Sequence, residues 1–119
     1  MSDKEIVSNL IRLVITGRLS VREALLHFPQ NTDDRNIMTA YYALAHYEAD
    51  EDIRSKDALF RDEQDEYLIM IAELFANNKD LPLNIIKSYE EYYPDINLPR
   101  KTVIINFLKK IAKFLNIKS

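Results

Sequence analysis

Cysteine and tryptophan are absent from this chain of 119 residues, and glycine occurs once. Without cysteine there is no disulfide framework, no thiolate metal site and no cysteine nucleophile. A single glycine excludes P-loops, Rossmann fingerprints and Gly-rich kinase loops, which need glycine where the backbone closes on phosphate. It also leaves few tight β-turns, as expected of helices joined by short polar links. Long apolar runs are missing too. The longest, Tyr67 to Ala72, is far too short to span a bilayer. The opening Met1-Ser2-Asp3-Lys4-Glu5 has acids where an export signal needs bases, so a cytoplasmic location is expected.

Acid is what the end of the chain lacks. Residues 100–119 hold six bases (Arg100, Lys101, Lys109, Lys110, Lys113, Lys118) and no Asp or Glu. Residues 1–99 hold ten bases and all nineteen acids, a balance of −9 hidden within the whole-chain value of −3. With 47% hydrophobic and 29% charged residues, the composition is that of one ordinary globular domain, 1–119.

Helix signals recur throughout. Ser2 with Glu5 and Ser20 with Glu23 read as capping boxes, in which each side chain satisfies the other's exposed N–H. Ile6, Val7, Leu10, Ile11 and Val14 repeat at helical spacing until Gly17, placed for a left-handed C-cap. A short second helix carries Val21, Ala24, Leu25 and Phe28 and is stopped by Pro29. Thr32 or Asp33 can cap a third helix bearing Ile37, Met38, Tyr41, Leu44 and Ala45, which weakens in the acidic stretch Glu48 to Asp52. A fourth, over about 57–78, is apolar nearly all round in its second half and is expected to be the central helix. A fifth starts near Asp80 and Pro82 and presents Ile85, Ile86, Tyr89, Tyr92 and Tyr93. Residues 98–119 form the last, a basic amphipathic helix with Ile104, Phe107, Leu108, Ile111, Phe114 and Leu115 on one side, expected to pack on the bundle. No sustained period of two appears. The expectation is an all-α, single-domain bundle of five to six helices.

Five groups of residues bear on function. The face of Lys109, Lys110 and Lys113 suits an acidic surface, anionic lipid or phosphate, or simply the water side of a packed helix. Residues 48–66 offer an acidic neighbour, with nine acids against three bases. The segments Ser20–Phe28 and Thr32–Ala49 have the outline of a helix-turn-helix, with Arg35 and Asn36 as base-contact candidates. Asp33 and Asp34 at the start of its second helix would repel phosphate, which disfavours nucleic acid.

Glu63 and Glu66 share a helix face and could hold Mg²⁺ with a second pair such as Glu90 and Glu91. Over those four residues the chain resembles the E-x-x-E pairs of all-α nucleotide pyrophosphatases, which would imply a Mg²⁺-dependent nucleotide hydrolase. No second motif supports it, and an acidic helix face is ordinarily solvated. His46 and Asp50 lie four apart, but two ligands do not make a zinc site, and His27 is distant in sequence. No serine sits in a nucleophile elbow.

Tyrosines outnumber phenylalanines seven to five, and Tyr89, Tyr92 and Tyr93 cluster before Pro94. Tyrosine suits half-buried positions at interfaces. The leading reading is a protein-interaction module, with a protein partner or self-association, contacts through Tyr89, Tyr92, Tyr93, Lys109, Lys110 and Lys113, and neither cofactor nor metal. Peripheral membrane contact is disfavoured by the lack of tryptophan and the acidic remainder.

Overall fold

The structure, a computed structural model, describes residues 1–30 and 32–92. Among the described residues it is all-helical, with α1 at Asp3–Ile15, α2 at Val21–Leu26, α3 at Arg35–Ala49, α4 at Glu51–Lys56, α5 at Ala58–Ala76 and α6 at Leu83–Tyr92. They form one bundle. The basic segment 98–119 lies outside the described residues.

The helix ends follow from local chemistry. Ser2 Oγ accepts from Glu5 N while Glu5 Oε1 accepts from Ser2 N, closing the capping box of α1. That bonding holds the Glu5 carboxyl below its ordinary pKa. Ser20 caps α2 by accepting from Glu23 N, and Asp57 caps α5 by accepting from Phe60 N. The cap of α3 is Asp34, whose carboxylate accepts from Asn36 N; Thr32 serves it indirectly by accepting from Asp34 N. The expected Thr32 or Asp33 cap is therefore displaced by one or two residues.

Both α1 and α5 end in Schellman motifs. Gly17 has φ 75°, and the N–H groups of Arg18 and Gly17 reach back to Leu13 and Val14 carbonyls. Asn78 plays the same part with φ 56°, and Lys79 and Asn78 donate to Leu74 and Phe75 carbonyls.

The acidic stretch does not end in a loop. After α3 stops at Ala49, α4 follows at once, with Glu51 and Asp52 in its first turn and Arg54 and Lys56 in its last. That distribution complements the helix dipole at both ends. A run poor in apolar residues thus forms a helix whose charge order suits the dipole.

The core joins all helices but α4 and centres on Val7, Ile11, Leu25, Ile37, Leu44, Leu68, Ile71 and Phe75, each 2% exposed or less. Burial of each such side chain stabilises by about 1.5–3 kcal/mol. The expected long helix is present as α5, packed along α1. It is not covered all round, because Leu59 is 70% and Ile69 40% exposed. Asp62, Glu63, Glu66 and Glu73 keep that side in water. The most enclosed helix is α3, where every residue from Ile37 to Ala45 is buried. That stretch carries no charge, so no position in it demands solvent.

Candidate functional site

Helices α3, α5 and α6 meet around an open cleft. Its larger lobe, about 490 Å³, is bounded by His46 and Asp50 from the end of α3, Phe60, Gln64 and Tyr67 from α5, and Tyr89 from α6. Asn84, Ile85 and Ser88 continue the α6 wall. A smaller lobe of about 200 Å³ shares five of these side chains and adds Tyr47 and Glu63. The α6 residues 84, 85, 88 and 89 follow helical spacing, so one face of that helix forms the wall. Opposite the cleft, Ile86 and Leu81 anchor the α6 region in the core.

Two contacts hold the α6 region in place, one exposed and one part-buried. Arg35 donates to both carboxylate oxygens of Glu90 at 2.5 and 2.6 Å. This bidentate pair lowers the Glu90 pKa and raises that of Arg35, because each charge is bonded by the other. Asn36 Oδ1 accepts from Leu81 N at 2.7 Å, fixing the entry to α6.

Below the aromatic wall lies a polar network across three helices. Gln64 Nε2 donates to Asp50 Oδ2 at 2.9 Å, and Gln64 Oε1 accepts from Arg54 Nη1 at 3.1 Å. Arg54 also donates to the Tyr47 carbonyl and lies 3.5 Å from the Tyr47 ring centroid. Tyr47 in turn donates its hydroxyl to Asp65 Oδ1 at 2.8 Å. The guanidinium thus combines cation–π and hydrogen-bond contacts, and its charge is held by α3 and α5 groups. Burial and the bond to Asp65 push the Tyr47 hydroxyl pKa up.

The rings of the cleft are mutually ordered. His46 meets Tyr89 edge to face at 5.9 Å, and Tyr67 lies 6.2 Å from Tyr89 at a tilt of 35°. Burial raises the Tyr67 and Tyr89 pKa values. Both stay neutral donors and acceptors at physiological pH. Burial lowers the His46 pKa, opposed by the nearby Asp50 charge. A neutral imidazole beside two neutral phenols leaves Asp50 and Glu63 as the charges of the lining, which among the described residues includes no Lys or Arg. Such a surface suits the cationic or hydrogen-bonding head of an otherwise apolar group.

The sequence-derived candidates distribute unevenly. Tyr89 lies in the cleft wall, half-buried. Tyr92 ends α6, and Tyr93, Lys109, Lys110 and Lys113 lie outside the described residues. His46 and Asp50 do reach one site, but His27 is exposed at the end of α2, away from the cleft lining. Among the described residues no group of three or more His, Asp or Glu is placed to share a metal. Glu63 and Glu66 are exposed, only Glu63 reaches the cleft, and Glu90 is occupied by Arg35. Arg35 and Asn36, the base-contact candidates, are spent on Glu90, Asp34, Asp80 and Leu81. Little in the sequence marks Gln64, Tyr67 or Phe60 as site residues. Polar Gln64 and phenolic Tyr67, inside an otherwise readable helix, were the available signal.

Comparison with protein-family models, curated proteins and solved structures finds no match to this chain. Among the described residues no helix is long and apolar enough to cross a membrane.

Proposed function

We propose that this protein is a helical protein-interaction module whose cleft between α3, α5 and α6 receives a basic, amphipathic segment of a protein. One observation carries the reading: Phe60, Tyr67 and Tyr89 line an open cleft in which, among the described residues, Asp50 and Glu63 are the only formally charged ones. The aromatic walls supply apolar contact at little entropic cost, since each ring has only two torsions to fix. The carboxylates supply orientation and encounter rate more than affinity. The wider surface has the same sign, with nine acids against three bases over residues 48–66. Arg54 is committed to Tyr47 and Gln64, and Arg61 lies 3.5 Å from Asp62.

The test is calorimetric titration of the full chain with a Lys-rich amphipathic helical peptide and with its Glu-rich counterpart. The basic peptide should bind, and Glu63→Gln with Tyr67→Ala should weaken it about tenfold or more. Binding should also weaken as salt screens the exposed acids. Equal binding of both peptides, or an affinity unmoved by the two substitutions, would retire the proposal.

A further inference from the structure

We propose that the cleft's resident occupant is part of this same chain, residues 98–119, so that a partner segment must displace it. This rests on reading the cleft as a site for a basic amphipathic segment. Three observations lead from the site to that occupant.

Charge is the first. The last twenty residues carry six bases and no acid, while residues 48–66, which contribute Asp50, Glu63 and Gln64 to the cleft, carry nine acids and three bases. No other segment of comparable length in the chain combines six bases with freedom from acid.

Pattern is the second. Ile104, Phe107, Leu108, Ile111, Phe114 and Leu115 fall on one side at helical spacing, with Lys109 and Lys113 opposite. The cleft offers the counterpart in the rings of Phe60, Tyr67 and Tyr89. As a helix, residues 99–116 would measure about 27 Å, close to the length of the 19-residue α5.

Reach is the third. The α6 wall ends at Tyr89, only three residues before that helix stops at Tyr92. Residues 93–97 can span up to about 17 Å when extended. The cleft therefore lies within reach of the segment, and a link this short gives an effective concentration on the order of millimolar.

The experiment uses the full chain. Because cysteine is absent, Ala112→Cys takes a nitroxide at one position only. The label should broaden the amide signals of Gln64, Tyr67, Asn84 and Ser88 and leave Asn9 and Arg12, on the exposed face of α1, sharp. A mixture of labelled unenriched chain with unlabelled ¹⁵N-chain should show no broadening. Broadening of that mixture would assign the occupant to a second copy, and uniform or absent broadening would remove the contact altogether; either overturns the proposal.

A second measurement separates this inference from the reading beneath it. Lys109→Glu, Lys110→Glu and Lys113→Glu together should free the cleft, so that a synthetic peptide of residues 98–119 binds the triple variant about tenfold or more tighter than the unaltered chain. Equal binding to both would mean that the cleft takes such a segment but is not filled in cis. Binding to neither would end both readings.

Discussion

The Ser8 hydroxyl donates to the Ala72 carbonyl at 2.7 Å, joining the middle of α1 to the C-terminal part of α5 across 64 residues of sequence. Ser8 is 1% exposed and Ala72 is 1% exposed, so two small side chains let these helices approach closely. A serine inside a helix more often bonds back within its own turn, as Thr39 does to the Arg35 carbonyl. Ser8 instead spends its donor on another helix.

Substitution at Ser8 should report both parts of this contact. Ser8→Ala removes the hydroxyl and should cost about 0.5–1.5 kcal/mol. Ser8→Leu should cost more, about 1–3 kcal/mol beyond the lost bond, because the added atoms must force α1 from α5. Urea unfolding of both variants measures the difference, and a Ser8→Leu protein as stable as Ser8→Ala would contradict the close approach.

The two Schellman ends make a matched pair. A Cβ built at Gly17 would meet nothing within 4 Å, so Gly17→Ala should suffer only from the backbone at φ 75°, about 1–2 kcal/mol. Asn78 tolerates its φ of 56° through its short polar side chain. Asn78→Gly should therefore change stability by less than about 0.5 kcal/mol, and Asn78→Ala should lower it by about 1 kcal/mol. Thermal unfolding at one fixed pH orders the three variants.

His46 should give the cleft a pH signature. Burial lowers its pKa below the ordinary 6.5, with Asp50 pulling the other way. The unfolded chain then binds the proton more readily than the folded one, and stability rises with pH between the folded value and 6.5. The stabilisation is complete above 6.5 and is lost as pH falls through the folded value. His46→Gln should flatten that step in the urea midpoint measured from about pH 5 to 8. A variant with the unchanged pH slope would show that His46 titrates alike in both states.

Much of the fold is readable from neighbours in sequence. Ser2 with Glu5, Ser20 with Glu23, Asp57 and Gly17 mark their helix ends because a cap is a contact across three or four residues. The existence of α4 is readable in its charge order, although the segment has too few apolar residues to show a helical period. The enclosure of α3 was readable in its uncharged stretch from Ile37 to Ala45, yet the apolar run of α5 drew attention first.

The cleft belongs to a different class. His46 and Tyr89 were each conspicuous, but their ring contact spans 43 positions, and no local pattern encodes it. Gln64 gained its importance only when Asp50 and Arg54 converged on it.

The amino-acid order alone determined that this chain makes helices, where most of them start and stop, and which sides are greasy, because those properties arise within a turn or two of backbone. Only the packed molecule decided that α3 lies deepest and that Asp50, Gln64, Tyr67 and Tyr89 share one opening. Several helix arrangements can bury the same apolar faces, and the choice among them falls to side-chain fit between distant segments, such as Ser8 against Ala72 and Arg35 against Glu90.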